Sequence, residues 1–407
     1  MDFELNPKLR GIKAFLHQFA LQSMRPAAVI ADANEHQKPW DVIKQVHQLQ
    51  RSGMTVLRRH GMRPEDEAKV KSEAGGVRGI TGVVLAEELA YGAASILLSL
   101  PGPGLGGAAI NAAGTPEQRD KWLRRYEDDE VRFGAMAMTE PDCGSDVSGV
   151  ATTAVLDGDH WVLNGTKVFC TNGASADVVV VWATIDKALG RAGMKAFVVE
   201  KGTPGFRIGR LENKLGIRAS ETAELVFEDC RIPKENLLGE LEAKEQKGFK
   251  GAMATFDMTR PGVAAMAVGI ARAALEYTLG ALDEDGPLDV GHGRARPSLS
   301  ALQDIVQEMD GQIEAARLLT HRAAFLLDQG RSNSLEASMA KAKAGRVVVD
   351  VTATCVELMG PTALTRTHPL EMWLRDSKVF DIFEGTGQIQ RLIIARKILG
   401  YSSKELG

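Results

Sequence analysis

The sequence predicts an α+β chain in which a helical N-terminal domain is followed by a β domain and then by a second helical domain. From Asn6 to about Tyr126, apolar residues recur three and four positions apart, as on one face of a helix. From about Phe133 the pattern changes to short β-rich runs separated by Gly and Pro, and after Gly248 the helical spacing returns. We therefore divide the chain into domains at 1–132, 133–240 and 241–407.

Individual elements follow from the same patterns. In the β domain, Asn164 and Gly165 lie inside the apolar run Trp161–Phe169. They predict two strands joined by a tight turn, because Asn-Gly is a strong hairpin signal. In the last domain we predict one irregular break, the loop Asp283–Pro297, and the final helix is expected to stop at Gly400. Further strands are predicted at 177–182, 196–200, 206–211 and 223–227.

The composition is that of a globular protein and argues against several functional classes. The 407 residues suffice for two or three domains, with 44% hydrophobic and 25% charged residues. A formal net charge of −4 argues against a nucleic-acid-binding protein. The cysteines lie far apart and form no Cys-x-x-Cys pair, so we expect neither a disulfide framework nor a metal site. They are Cys143, Cys170, Cys230 and Cys355.

No segment is expected to direct the chain out of the cytoplasm or into a membrane. Met1–Arg10 carries charges of both signs and no apolar core. The most apolar stretches, such as Val178–Trp182 and Val263–Ile270, look too short or too rich in Gly and Ala to span a bilayer. We therefore expect a cytoplasmic protein without an integral membrane segment.

One carboxylate near the C-terminus, Glu384, lies on a glycine-containing turn before the last predicted helix. Gly385 and Gly387 allow unusual backbone angles and the close approach of a ligand, and Thr386 can cap the helix that follows. Taken alone, a Glu at the start of a helix is more often a solvated residue. The turn becomes a candidate catalytic site only in combination with other segments of the chain.

Further segments carry recognisable motifs in a fixed order. Residues 139–146 read Thr-Glu-Pro-Asp-Cys-Gly-Ser-Asp, and residues 164–173 read Asn-Gly-Thr-Lys-Val-Phe-Cys-Thr-Asn-Gly. Residues 214–220 read Lys-Leu-Gly-Ile-Arg-Ala-Ser, and residues 256–261 read Phe-Asp-Met-Thr-Arg-Pro. Residues 384–391 complete the set with Glu-Gly-Thr-Gly-Gln-Ile-Gln-Arg. In this order, the segments resemble the acyl-CoA dehydrogenase family of flavoproteins.

The resemblance implies a fold with an N-terminal helical domain, a middle β-barrel-like domain and a C-terminal four-helix bundle, with FAD as the cofactor. It implies that Glu384 is the catalytic base. Some relatives carry the base at the position of Thr259, whose hydroxyl cannot take that role. The implied cofactor-binding residues are Met138, Thr139, Gly144, Ser145, Phe169, Thr171, Gln303, Gly360, Thr386 and Gln388. The implied substrate-binding residues are Ser145, Asp257, Arg260 and Gly385.

The implied reaction is the FAD-dependent α,β-dehydrogenation of an acyl-CoA thioester to the trans-2-enoyl-CoA, as in fatty acid β-oxidation. Glu384 would remove the α-proton, the flavin N5 would accept the β-hydride, and an electron-transferring flavoprotein would receive the electrons. Alternatives are an acyl-CoA oxidase that reduces O₂, a flavoenzyme acting on a nitroalkane or hydroxylating a small molecule, and a non-catalytic partner subunit. The apolar stretch Ile96–Pro101 matches the helix that closes the acyl pocket in relatives, but it does not fix the acyl chain.

Two departures from the family pattern concern the part of the flavin site that a neighbouring subunit completes in relatives. The Arg-x-x-Phe-Gly stretch of the family has no counterpart before Gln303, where Arg294 and Arg296 are candidate substitutes. Near Gly360, Glu357 replaces the Gln of the family, and its negative charge is unfavourable beside a phosphate. We therefore expect either a homotetramer, as a dimer of dimers, or a hetero-oligomer in which a related subunit supplies the missing contacts.

Overall fold

The computed structural model describes residues 4–52, 54, 77–240, 247–283, 289–401 and 405. Helices dominate both ends of the chain and a curled sheet lies between them, so the predicted α+β architecture is confirmed. The predicted domain boundaries stay predictions, and the boundary at 240/241 lies at the edge of the described residues.

The described N-terminal part is helical, as predicted. Asn6 caps the first helix by accepting a hydrogen bond from the Leu9 amide at 2.8 Å, and Pro7 occupies the first helical position, where no amide donor is needed. A π-helical turn, Ala20–Met24, joins the first two helices. The helices are α1 (Pro7–Phe19), α2 (Arg25–Ala33), α3 (Trp40–Arg51), α4 (Arg78–Leu98), α5 (Gly104–Ala113) and α6 (Pro116–Leu123).

The middle part forms a seven-stranded sheet in the order β1-β4-β2-β3-β7-β6, with β5 paired to β4. The strands are β1 (Gly134–Ala137), β2 (Thr153–Asp157), β3 (His160–Thr171), β4 (Val178–Thr184), β5 (Met194–Glu200), β6 (Phe206–Leu211) and β7 (Thr222–Pro233). Every residue of β4 is buried. Its alternate side chains, Val179 and Val181 on one face and Val180 and Trp182 on the other, enter two separate apolar clusters, so β4 is covered on both faces.

The hairpin predicted at Asn164-Gly165 is wrong, because β3 is one continuous strand from His160 to Thr171. Gly165 instead lies at an irregularity in the pairing of β3 with β7, with φ at +151°, and a β-carbon there would overlap the side chain of Thr152. The tight turn is found earlier. Asp157 pairs with His160, and Gly158 between them has φ at +63°, so it joins β2 and β3.

The C-terminal part consists of α7 (Lys247–Leu282), α8 (Ala301–Asp328), α9 (Ser334–Met359), α10 (Leu370–Ser377) and α11 (Gly387–Leu399). The prediction of a single break is wrong, since the chain also leaves the helical path after Asp328, Met359 and Ser377. Gly330 and Gly360 adopt positive φ at the first two of these ends. Of the predicted loop 283–297, residues 284–288 lie outside the described residues, and Gly400 ends α11 as predicted, with φ at +73°.

Of the apolar stretches expected to be unsuited to span a membrane, Val263–Ile270 lies in a helix that is long and apolar enough to do so, whereas Val178–Trp182 lies in a strand. By length and composition, three helical segments qualify: Arg78–Leu98, Thr255–Leu282 and Ser334–Leu364. In the fold, 89%, 72% and 39% of their most apolar windows, respectively, are buried inside the protein. Packing within the fold therefore accounts for the apolar character of the first two segments, whereas fewer than half of the residues in the third window are fully buried.

Two glycines of α4 lie in opposite environments. A β-carbon at Gly92 would lie 2.6 Å from the β-carbon of Ala20, so α4 and the π-helical turn touch at this point. Gly82, in the same helix, is exposed and has no atom within 4 Å of an added β-carbon.

We expect Gly92→Ala to destabilise the protein by about 1–3 kcal/mol through overpacking. Gly82→Ala should stabilise it by about 0.5–1 kcal/mol, because alanine is the better helix former. Urea unfolding of the two variants and the parent protein measures both effects. Equal stability of the two variants would contradict the close contact at Gly92.

Candidate active site

Several residues of the sequence motifs have a strained backbone. Among the described residues, the non-glycine positions with positive φ include Phe169, Asn172 and Glu384, at 58°, 56° and 56°. A left-handed conformation costs a non-glycine residue of order 1–3 kcal/mol and persists where the surroundings fix it, often at functional sites. Strained positions thus occur in three of the motif segments, 164–173, 214–220 (at Ile217) and 384–391, and also outside them, at His36 and Asp229.

The Glu384 turn is held from inside the protein. Thr386 caps α11, since its hydroxyl accepts a hydrogen bond from the Ile389 amide at 3.3 Å. The buried Gln390 donates its Nε2 to the carbonyl oxygens of Glu384 and Gly385, at 3.3 and 3.2 Å. Gln390 belongs to the motif at residues 384–391, but the sequence alone predicts no role for it. It fixes the backbone that carries the carboxylate.

The carboxylate of Glu384 also has a partner on α7. The hydroxyl of Thr259, a buried residue, donates a hydrogen bond to Glu384 Oε2 at 2.8 Å. One residue further, the buried Arg260 binds Asp257 with 2.7 Å between Nη1 and Oδ1, while burial raises the pKa of Asp257. Sequence reasoning excluded Thr259 as a base but missed that its hydroxyl holds the base.

The predicted cofactor residues of the β domain lie on two neighbouring segments. The Val168 amide donates to the carbonyl oxygen of Thr139 at 2.9 Å, which joins β3 to the loop after β1. The hydroxyls of Thr139, Ser145 and Thr171 make no hydrogen bond within the described chain, and the Phe169 ring is 64% exposed. Unpartnered hydroxyls beside an exposed aromatic face suit a flat ligand with polar edges, such as a flavin.

A buried ion pair fixes this loop. Lys167 Nζ lies 2.7 Å from Glu140 Oε1 and 3.0 Å from the Met138 carbonyl oxygen. The amides of Ala151 and Thr152 donate to the same carboxylate at 2.6 and 2.9 Å. Burial acts to raise the pKa of Glu140, but Lys167 and the two amides outweigh it and hold that pKa below its usual value. The pair therefore anchors Met138 and Thr139 while their neighbours stay accessible.

Helix α7 connects the two halves of the site. Phe256 packs against the apolar cluster that contains Met138 and Cys143 of the β-domain loop. Thr259 and Arg260 follow within one helical turn and face Glu384, and the Arg260 guanidinium lies 5.9 Å from the centre of the Phe256 ring. One turn of α7 thus links the predicted cofactor loop to the predicted base.

The remaining predicted residues have other surroundings in the single chain. Gln303 forms a capping box with Ser300 at the start of α8, and its Nε2 donates to the Asp289 carbonyl oxygen at 2.8 Å. Gly360 ends α9, and Gln388 is exposed on α11. Their roles toward a cofactor stay predictions.

The two candidate replacements for the missing arginine both have acidic partners nearby. Arg294 pairs with Asp289 at 2.6 Å, and Arg296 pairs with Asp304 at 2.7 Å. Both arginines are more than half exposed. The ion pair that each arginine forms is therefore a sufficient explanation for its presence in this loop.

The described residues contain no cluster of His, Cys, Asp and Glu suited to a metal ion. The four cysteines are buried and free.

Family models match the chain in three consecutive parts. The model described as acyl-CoA dehydrogenase, N-terminal domain, matches residues 6–130, the middle-domain model matches 135–230, and the C-terminal-domain model matches 246–399.

Individual proteins match along nearly the whole chain. The short-chain specific acyl-CoA dehydrogenase of Clostridium acetobutylicum is 38% identical over 401 residues, covering 98% of this chain and 100% of the relative. The structure of butyryl-CoA dehydrogenase from Megasphaera elsdenii matches with a TM-score of 0.84 and 33% identity, covering 98% and 100% of the two chains. A chain in a structure reported for the electron transferring flavoprotein of Acidaminococcus fermentans also matches, with a TM-score of 0.83 and 36% identity. The match covers 98% of this chain and 100% of that chain. The chain belongs to the acyl-CoA dehydrogenase family.

Proposed function

We propose that this enzyme removes the α-proton and the β-hydride of a short acyl-CoA thioester, with Glu384 as the base and FAD as the hydride acceptor. One observation carries the proposal. The Glu384 carboxylate lies on a strained turn and accepts a 2.8 Å hydrogen bond from Thr259 of α7. One turn earlier on the same helix, Phe256 packs against the apolar cluster of the loop in which hydroxyls have no partner within the described chain. FAD is the cofactor of this family of flavoproteins, and it supplies the redox chemistry.

Residues of this chain would orient the substrate and move the proton. The α-proton of a thioester is poorly acidic, so the base must meet it in a fixed direction while water is excluded. Gln390 fixes the backbone of Glu384, and the Thr259 hydroxyl occupies one carboxylate oxygen, Oε2. The carboxylate is in this way oriented to accept the α-proton. Ser145, Asp257, Arg260 and Gly385 are the proposed thioester contacts.

The names of two relatives support a short acyl chain, since one is called short-chain specific and the other acts on butyryl-CoA. The stretch Ile96–Pro101 ends beside the flavin-binding segment. There Asn172 Nδ2 donates to the Leu98 carbonyl oxygen at 3.2 Å, and Ile96 and Leu97 are fully buried. An acyl chain entering between these segments would meet an apolar wall.

The association with an electron-transferring flavoprotein is supported by the similarity of this chain to one in the structure reported for the Acidaminococcus fermentans electron transferring flavoprotein. A homotetramer is proposed from the family resemblance, and the apolar residues that the C-terminal part leaves exposed are candidates for its association surface. These residues are Leu364, Ile382, Leu392, Ile398, Leu399 and Tyr401. A cytoplasmic location remains part of the proposal.

Replacing the proposed base tests the mechanism directly. Glu384→Gln should keep bound FAD and its yellow colour, while the rate of flavin bleaching by butyryl-CoA under anaerobic conditions falls by roughly 10²–10⁴-fold, the usual contribution of a general base. Stopped-flow absorbance measures the rate. Glu308→Gln, at an exposed carboxylate of α8, is the control and should bleach like the parent enzyme. Bleaching of Glu384→Gln at the parent rate would exclude Glu384 as the base.

The role of Thr259 has its own test. Thr259→Val keeps the shape of the side chain but removes the donor to Glu384, so we expect the bleaching rate to fall by about 10–100-fold, since hydrogen bonds to charged groups contribute about 1.5–3 kcal/mol. Thr259→Ser keeps a hydroxyl and should retain most of the rate. If the valine variant matches the serine variant, the hydroxyl does not hold the base.

The electron acceptor and the assembly are tested on the chain expressed alone. We expect a homotetramer by light scattering, one FAD per subunit, and reoxidation by an electron-transferring flavoprotein much faster than by O₂. Rapid peroxide formation would indicate an oxidase instead. A chain that binds FAD only after a related subunit is added would indicate a hetero-oligomer.

A further inference from the structure

Lys341 is a buried cation without an assigned role in the proposed reaction. It lies on α9 with its side chain 0% exposed, and its Nζ has no hydrogen-bond partner within the described chain. Burial lowers the pKa of Lys341 to about 8, although the charges of Asp381 and Glu384 act in the opposite direction. Burying an unpaired ammonium group is unfavourable, so packing alone would be better served by an apolar residue.

The position of Lys341 on α9 directs it toward the Glu384 turn. Gly345 lies four residues later, hence on the same face of the helix. A β-carbon at Gly345 would lie 2.6 Å from the Phe380 carbonyl oxygen and 3.3 Å from the Asp381 α-carbon, so this face is pressed against the turn Lys378–Asp381. The Asp381 carboxylate in turn contacts Gly387, at the start of α11.

Four buried polar atoms without a protein partner surround the same turn. Arg260 Nε and Lys341 Nζ are donors, whereas Asp381 Oδ1 and Gln390 Oε1 are acceptors. Gln390 bonds the carbonyl oxygens of the turn, and Arg260 Nη2 would lie 3.9 Å from a β-carbon at Gly385. Polar atoms from α7, α9, the 378–381 turn and α11 therefore lie around the segment that carries Glu384, and the charges of Asp381 and Glu384 both act on Lys341.

The two cations of this cluster have different partners. Arg260 is paired with Asp257 at 2.7 Å, so part of its charge is already balanced. Lys341 forms no ion pair within 4 Å among the described residues, and the acidic groups that act on it are Asp381 and Glu384. Its charge is therefore available to the carboxylates of the turn.

We propose that Lys341 is a positioning residue for the reaction: its ammonium group supplies, from the buried side of the turn, the positive charge that keeps Glu384 ionised while the thioester is bound. The proposal rests on the proposed function. Binding of a thioester removes water from the carboxylate, and loss of water favours protonation. A protonated Glu384 cannot accept the α-proton, and a fixed cation behind it opposes that protonation.

The test compares Lys341→Met with Lys341→Arg and with Lys343→Met. Lys343 is on the same helix two residues later and binds Gln312 of α8, away from the cluster, so it is the matched control. Anaerobic flavin bleaching by butyryl-CoA is followed across pH 5.5–9, together with FAD content and thermal unfolding.

For Lys341→Met we expect full FAD content and an unchanged or higher unfolding temperature, because a buried charge is removed. The acid limb of the pH profile should move about one unit to higher pH. On that limb, below neutral pH, the rate should therefore fall about tenfold, because one pH unit corresponds to a tenfold change in the ionised fraction. Without the cation the carboxylate takes up a proton at higher pH, and this fixes the sign of the movement. Lys341→Arg keeps the charge and should keep the limb of the parent enzyme, as should Lys343→Met.

An acid limb that does not move in Lys341→Met overturns the proposal, whether or not the rate falls, since a purely structural role would lower the rate at all pH values. Loss of FAD or of the fold in that variant overturns it as well. If the proposal for Lys341 fails in one of these ways, the proposed function still stands, provided that butyryl-CoA bleaches the flavin of the parent enzyme but not that of Glu384→Gln. A parent enzyme that no acyl-CoA bleaches overturns the proposed function and this inference with it.

Discussion

The burial of α7 is the constraint on which the rest of the structure depends. Nearly every residue from Val263 to Ala274 is buried, and the helix packs against α4, α8 and α9. At Gly269 the approach of α4 is so close that a side chain would overlap the Glu87 carbonyl oxygen. Close packing along this length restricts the movement of the helix, so it holds Phe256 and Thr259, just before the buried stretch, in fixed places. The distance between cofactor loop and base is in this sense set by the helical core.

Two groups of buried charges in the protein differ in how many of their polar atoms have hydrogen-bond partners. Between α1, α4, α7 and α8, Glu88 binds Arg272 at 2.7 Å and His17 at 2.8 Å, while Glu87 binds Arg317 at 3.0 Å. These carboxylates are paired on several sides, which is how a buried charge becomes tolerable. Around Glu384, by contrast, donors and acceptors are left without protein partners. The first group of charges holds helices together. In the second group, the polar atoms without protein partners could take part in the reaction.

Periodicity in the sequence was sufficient to predict the three-part architecture, because the helical and strand patterns reflect which faces are buried. It failed at Asn164-Gly165, where local turn chemistry was overruled by the long pairing of β3 with β7. Glu384 emerged from the motif, together with the capping role of Thr386. Thr259 and Lys341 could not be assigned in this way. Each occupies an ordinary helical position. Only the tertiary packing shows that Thr259 bonds the carboxylate and that Lys341 is buried without a hydrogen-bond partner among the described residues, within reach of the charges of Asp381 and Glu384.

The left-handed backbone of Glu384 has a consequence for protein engineering. A glycine or asparagine at this position would relieve the strain, so any procedure that selects variants for stability alone would favour replacing the residue. Phe169, equally strained and largely exposed, would be replaced for the same reason. Thermostabilisation of this enzyme therefore has to hold these positions fixed, since two of the strained conformations among the described residues belong to residues proposed to take part in the chemistry.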